Sequence, residues 1–251
     1  MYVLCFFLQF IITATDLLAA VDRNANQLHA SLENLARLFP SHADSSDETS
    51  PLLTVRDFEA FAMATREVTG AQLIAYAPFV LDDTTRVSWE EYSVAEQSWI
   101  ESSALFHPDF DVENIDTINP RIWLRDANRN PVVDPGPAPY VPIWQVSPPP
   151  SDTNLINFNL ASSEEVEEWI FLQEYQNNSW SYLSQPMDVF ALFGEANYPE
   201  EDLSEPASLA WVPVAHSLLS SDEDDEVAGA IVADVRWSTL LRDVSEMMFV
   251  F

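Results

Sequence analysis

LAWVPVAHSLLSSDEDDEVAGAIVADV, residues 209–235, is a pair of apolar runs joined by an acidic one. Leu209 to Leu218 and Val227 to Val235 are rich in valine and alanine, have no helical periodicity, and read as strands. The run between them, Ser220-Ser-Asp-Glu-Asp-Asp-Glu226, reads as a charged hairpin loop. A calcium loop of the EF-hand kind needs a glycine at its sixth position and a glutamate at its twelfth; this run has neither, so it reads as a solvated turn. A strand is also expected over Leu183 to Val189, upstream of this hairpin. Downstream, Trp237 opens a terminal helix with Leu240, Leu241, Val244 and Met247 on one side.

Working toward the N-terminus, Ala71 to Val80 (AQLIAYAPFV) reads as a mostly buried strand, with Pro78 near its end. A helix precedes it, opened near Thr54-Val-Arg-Asp57 and closed by Gly70, with Phe58, Phe61 and Val68 as its apolar stripe. A second helix is expected from about Thr85 to Leu105, stopped by His107-Pro108. On it Trp89, Tyr92, Glu96 and Trp99 recur at spacings of three and four, a stripe that reads as core packing. From Asp109 to Pro150 the chain is loop-rich. Ile115 to Trp123 and Tyr140 to Val146 are extended, Asp126 to Pro131 turns, and Ser147-Pro-Pro-Pro150 cannot lie in a central strand. Asn157-Phe-Asn-Leu160 leads into a capping signal at Ser162 for an acidic helix ending near Gln176. Asn177-Asn-Ser179 is a glycosylation sequon that would fit a secreted face.

At the chain's beginning, Ala14, Leu18, Val21, Ala25, Leu28, Leu32, Leu35 and Phe39 alternate spacings of four and three, and Pro40 is expected to close the helix they define. Such a seam packs either on its own domain or on a second copy in a parallel dimer, and the spacing alone leaves both open. His29 and Glu33 lie beside it at i, i+4 and read as solvated. Residues 41–51 form a polar linker. Residues 1–13 are apolar, too short to span a bilayer, and lack the basic start of a signal peptide. They read as a packed or interfacial helix start, or as the membrane-proximal stump of a spanning helix, and the second reading is the expectation. Cys5 there reads as a buried thiol.

Composition narrows the chemistry. Forty-one acidic residues face ten basic ones, every one an arginine, for a formal charge of -31. Phosphate backbones and anionic lipid surfaces are repelled by such a chain, so nucleic acid is not a partner. Without lysine there is no P-loop and no Schiff-base chemistry. One cysteine excludes an internal disulfide framework and a cysteine-rich zinc site. Four glycines fall in no dinucleotide, nucleophile-elbow or phosphate-loop spacing, and four scattered histidines give no metalloprotease or triad pattern. No cofactor and no metal are expected, and no catalytic residue stands out. The excess of carboxylates points to a saline medium, where screening relieves self-repulsion.

The order helix, short helix, strand, aromatic helix, late hairpin and terminal helix resembles an α+β, PAS-like sensor fold of the Cache or CHASE kind, an antiparallel sheet flanked by helices with a long amphipathic helix in front. Several segments are more specific. Pro51-Leu-Leu-Thr-Val-Arg-Asp-Phe-Glu59, Gly70-Ala-Gln-Leu-Ile-Ala-Tyr-Ala-Pro78, Trp89-Glu-Glu-Tyr-Ser-Val94 with Gln97-Ser-Trp-Ile100, Pro142-Ile-Trp-Gln-Val-Ser-Pro-Pro-Pro150, Ala207-Ser-Leu-Ala-Trp-Val-Pro213 and Ile231-Val-Ala-Asp-Val-Arg-Trp237 resemble the extracellular region of diatom-type receptor nucleotide cyclases. The resemblance covers most of residues 14–251 and implies a sensor domain made of the long helix 14–39, the linker 41–51 and a core over 52–251.

What the resemblance implies is a ligand-sensing, extracytoplasmic part of a membrane receptor whose cyclase lies outside this chain. The chain itself would not be an enzyme. Its partners would be an unidentified small molecule and, through the first helix, a second copy. A freestanding secreted binding protein and an acidic hydrolase are the alternatives. Cache domains that bind amines or amino acids use Arg-x-Trp on a strand plus a later tyrosine, which selects Arg121, Trp123 and Tyr140, although Trp123 lacks the tyrosine that usually follows. An arginine fork grips a carboxylate and aromatics wall a pocket, so Tyr76 and Trp144 join them as candidate ligand-binding residues. A surface ion pair for Arg121 and ordinary core for the aromatics are the competing readings, and Asp234 beside Arg236 reads as a structural pair.

Overall fold

The computed structural model describes residues 2–42, 51–108, 110, 118–150, 155–163, 166, 182–193, 205–215 and 227–241, with side chains of the first helix described over 14–39. The hairpin forms the longest pairing. Ala207–Ala215 and Val227–Arg236 run antiparallel with Leu209 opposite Asp234 and Val212 opposite Ile231. On its other side Val227–Arg236 pairs antiparallel with Leu73–Pro78, setting Tyr76 opposite Ile231. Numbered in chain order, the strands are β1 (Leu73–Pro78), β2 (Trp123–Arg125), β3 (Pro131–Val133), β4 (Gln145–Ser147), β5 (Tyr182–Leu183), β6 (Ala207–Ala215) and β7 (Val227–Arg236). Five of them make one antiparallel sheet in the order β4-β1-β7-β6-β5, and β2 and β3 form a separate hairpin. The chain is therefore α+β.

Every residue of β1 is buried, which is why its sequence reads as an apolar run and not as an alternation. Cross-strand partners share a face. Ile74, Tyr76, Gln145, Ile231 and Val212 therefore point one way, and Ala75, Val146, Val232 and Trp211 the other. Gly229 sits opposite Pro78 where no side chain fits: a Cβ there would meet Ala77 O at 2.6 Å and Pro78 Cα at 2.7 Å.

The first face is covered by α1 (Tyr2–His42) and α2 (Phe58–Thr69). Leu28, Leu32, Leu35 and Phe39 of the heptad seam are buried, with the Phe39 ring 4.5 Å from Tyr76 and 5.9 Å from Phe58. The upper half of the seam is not: Ala14, Val21 and Ala25 are partly exposed and Leu18 is 69% exposed. Intramolecular packing thus accounts for the seam from Leu28 onward. Pro40 does not close the helix, which continues to His42; a proline there forfeits one backbone bond in the last turn, a loss that the buried Phe39 beside it outweighs. Among the described residues no helix is long and apolar enough to cross a membrane.

Several expected boundaries move. Helix α2 begins at Phe58 with Asp57 at its cap in left-handed backbone (φ 58°), and ends at Gly70 (φ 70°) as expected. Its buried side carries Phe58, Glu59, Ala62 and Thr69, while Val68 is exposed, so the stripe is rotated from the expected one. The single helix expected over 85–105 is two, α3 (Asp83–Ala95) and α4 (Ser98–Ala104). At the break the Gln97 side-chain amide turns back onto the carbonyls of Ser93 and Val94, at 3.5 and 3.1 Å, which would otherwise accept from the next turn. The strand expected over 183–189 shrinks to Tyr182–Leu183 plus a bridge at Met187, and Val189 already begins a short helix to Phe193. The acidic hairpin loop at 220–226, the sequon at 177–179, the helix after Ser163 beyond Val166, and the terminal helix beyond Leu241 lie outside the described residues. So does 115–117, the first part of the extended segment expected over Ile115 to Trp123.

Candidate functional site

The structure brings Tyr76 and Trp144 together, the Trp144 backbone N–H donating to Tyr76 O at 2.9 Å, and gives the other candidate ligand-binding residues separate partners. Arg121 is largely exposed and its Nε lies 2.6 Å from Glu90 Oε2, the ion pair that was the competing reading. Trp123 is buried, donates from its indole N–H to Ile156 O at 3.0 Å and meets the Phe158 ring at a tilt, with centroids 5.0 Å apart. Tyr140 is buried under the Arg86 guanidinium, 4.6 Å from ring centre to Cζ, with its hydroxyl 2.7 Å from Gly136 O and 3.1 Å from Asp83 Oδ1. Burial, and then Asp83, push that hydroxyl's pKa up against the opposing pull of Arg86. Trp144 is the hub of an aromatic cluster, touching Trp89 (5.3 Å), Trp99 (5.6 Å) and Tyr92 (6.0 Å), and its N–H is spent on Thr54 Oγ1 at 3.0 Å. Tyr76 lies under Phe39 in the centre of the sheet, and burial, then Tyr92, hold its hydroxyl far above the usual value.

What links Arg121 to Tyr140 is a brace that belongs to the scaffold. Arg86 and Glu90 are one turn apart on α3 and joined at 2.9 Å; Arg86 also reaches Asp134 O and Ile122 O, and Glu90 accepts from the Ile122 N–H at 3.1 Å. A charged pair this well bonded can be held in a partly buried place. Its neighbour is Asn157, fully buried with left-handed backbone (φ 64°), whose amide accepts from Trp89 Nε1 and donates to Ser93 Oγ and Asn119 O. These bonds fix α3 against Asn119, Ile122, Asp134 and Asn157.

A cavity of about 300 Å³ opens elsewhere, between the start of α2, helix α4 and β4, with Thr54, Phe58, Glu59, Trp99, Phe106 and Gln145 in its wall. The segment before α2 is pinned to the sheet edge by Gln145, whose amide accepts from the Val55 N–H (2.8 Å) and donates to Val55 O (3.0 Å), doing with a side chain what another strand would do. Glu59 is only 2% exposed. One of its oxygens, Oε1, shares a 2.6 Å hydrogen bond with His107 Nε2 and accepts from Ser147 Oγ at 2.9 Å. Arg66 Nη1 donates to that same Ser147 hydroxyl at 3.4 Å. Burial raises the Glu59 carboxyl above its ordinary value, against the lowering effect of His107, Ser147 and Arg66; burial likewise lowers Arg66. Glu59 Oε2 and Trp99 Nε1 are both buried without a hydrogen-bond partner among the described residues.

None of the five sequence candidates lines this cavity. The signal for it is a carboxylate, Glu59, in the first turn of α2, and it shows only once the buried side is known to run through Phe58, Glu59 and Ala62. Among the described residues no cluster of His, Cys, Asp or Glu could hold a metal ion.

The described residues thus form an α+β fold with one face of its antiparallel sheet covered by helices and a cavity walled by aromatics and a buried acid. No protein-family model matches the chain, and no curated protein matches it either.

Proposed function

We propose that this chain is a ligand-sensing domain with a PAS-like sheet of the Cache or CHASE type, on the extracytoplasmic side of a membrane receptor that regulates a nucleotide cyclase outside this chain. The observation that carries the reading is a line of packing from cavity to first helix. Phe58 lines the cavity, its ring meets Phe39 of α1 edge-on at 5.9 Å, and Phe39 in turn lies on Tyr76 in the middle of the sheet. A ligand that shifts Phe58 bears directly on α1, the element that carries both the unburied half of the seam and the apolar stretch before it. Ligand binding would bias α1 between arrangements and so signal to the effector, with the Leu18 face meeting a second copy.

The sheet supports the same reading: counted in chain order within the sheet alone, its strands run 2-1-5-4-3 and all pairings are antiparallel, with the long leading helix laid across one face. A thermal-shift screen against amines, amino acids and nucleosides tests the proposal. A sensor is stabilised without consuming the compound, by about 2.7 kcal/mol at a hundredfold excess over the dissociation constant. Turnover of any compound would point to the acidic hydrolase instead, and no stabilisation by any class would remove the sensing role.

A further inference from the structure

We propose that the cavity between α2, α4 and β4 takes a small organic cation that also carries an oxygen acceptor, with the Glu59 carboxylate as its anionic partner and the Trp99 indole N–H as the donor to its oxygen. The inference rests on the ligand-sensing reading above and adds to it the site and the chemistry of the ligand.

Two polar atoms in residues of this wall are buried without a hydrogen-bond partner among the described residues. Native proteins pair nearly all buried polar groups, so each orphan calls for an explanation. Glu59 Oε2 and Trp99 Nε1 are an acceptor and a donor, they belong to residues in the wall of the same cavity, and both residues are more than nine-tenths buried. His107 and Ser147 engage Glu59 through Oε1 only, and Arg66 reaches it through Ser147, which leaves Oε2 for something else. A buried carboxylate oxygen is best satisfied by a cationic donor. A ligand holding only an ammonium would still leave the indole N–H unanswered, hence the oxygen.

The remainder of the wall agrees. Phe58, Trp99 and Phe106 line it with aromatic rings, a residue type whose faces attract cations. The formal charge of -31 concentrates cations around the whole molecule and repels anions. Two features favour an anion, Arg56 in the wall and the N-terminus of α2. The helix start already has negative charge in place, Asp57 at the cap and Glu59 in the first turn, and Arg56 already has an interaction within the protein. A volume of about 300 Å³ suits a compound at the small end of the usual ligand range. Since the two orphan atoms are themselves covered, binding requires a rotamer change in the wall, a common accompaniment of association.

The test is isothermal titration calorimetry of the whole chain with tyramine and with 3-(4-hydroxyphenyl)propionate, which share ring and hydroxyl and differ in the sign of their charge. Tyramine should bind at least tenfold more tightly than the propionate. Glu59→Gln, whose amide can still accept from Ser147, should weaken tyramine at least tenfold, and Trp99→Phe, which removes the N–H and keeps a ring, at least threefold. Ser102→Trp, on the exposed side of α4 and in the cavity wall, should abolish binding with the melting temperature unchanged, which covers the case of a Glu59 variant that does not fold. Equal or tighter binding of the propionate, tyramine affinity within twofold in Glu59→Gln, or no tyramine binding at all overturns the proposal. If the thermal-shift panel still finds a ligand of another class, the sensing role survives and only the cation site is lost; if the panel is also blank, both fall.

Discussion

Asn157 carries more of the fold than its exposed counterparts because every polar atom of its amide is bonded inside the protein, to Trp89, Ser93 and Asn119. Asn157→Ala would strand a buried indole N–H and a carbonyl and put at φ 64° an alanine, which lacks the short polar side chain that makes asparagine tolerant of left-handed backbone. At about 1–3 kcal/mol for each buried group left unmade, a loss of roughly 3 kcal/mol is expected in urea denaturation, and a value under 1 would show that water replaces the amide. Glu59 makes a different kind of prediction. Its folded pKa is raised by burial above the ordinary 4.5, so the folded state keeps this proton to higher pH than the unfolded chain does. Its contribution to stability is then full below the ordinary carboxyl value and is lost as pH rises through the raised one. Glu59→Gln, which does not titrate, should therefore show a smaller fall in denaturation midpoint than the unaltered chain as pH rises from 4 to 7. Equal slopes would mean that His107, Ser147 and Arg66 together cancel the cost of burial.

At the scale of elements, α1 contains its own control. Leu32 is fully buried and Leu18 is 69% exposed, although both stand on one heptad seam. Leu32→Ala should cost about 2–5 kcal/mol, as for other buried leucines, whereas Leu18→Ala should change monomer stability by less than about 0.5 kcal/mol. If a second copy uses the upper seam, Leu18→Ala weakens self-association in sedimentation runs and leaves the unfolding curve alone. For β7 the test is Gly229→Ala. The added carbon runs into backbone, Ala77 O and Pro78 Cα, which cannot rotate away. Overpacking of this kind costs about 1–3 kcal/mol, and here it would fall on the central β1–β7 pairing. These elements also show what a sequence can disclose. Apolar runs and heptad spacing are properties of consecutive residues, so β1, β6, β7, α1 and the glycine stop at Gly70 could be placed. The break between α3 and α4 goes with the way the Gln97 amide turns, and the buried side of α2 depends on Ser147 and His107, residues far along the chain from Glu59. The cavity is assembled by such distant pairs, while Arg121-Ile-Trp123, a local motif, proved to hold an ion pair and a core ring.

For the molecule as a whole, the charge of -31 is the largest feature that the fold does not resolve internally. The ion pairs described, such as Arg86 with Glu90 and Arg121 with Glu90, neutralise few of the forty-one acidic residues. The rest repel one another over distances set by the screening length, which falls from about 30 Å at 0.01 M ionic strength to about 3 Å at 1 M. Folding crowds these charges, so salt should favour the folded state. Surface pairs lose strength under the same screening, but each contributes only about 0–1 kcal/mol and they are few. Repulsion should therefore dominate the balance. Raising sodium chloride from 0.01 M to 1 M at pH 7 should add at least about 1 kcal/mol, which in a domain of this size moves Tm upward by about 2–4 °C. The same titration at pH 4 separates repulsion from any general effect of salt on apolar burial. Many carboxyls are protonated there, so the gain should shrink by half or more if charge is the cause and stay the same if it is not. A Tm that fell with salt at pH 7 would mean that specific ion pairs, and not mutual repulsion, govern the stability of this acidic fold.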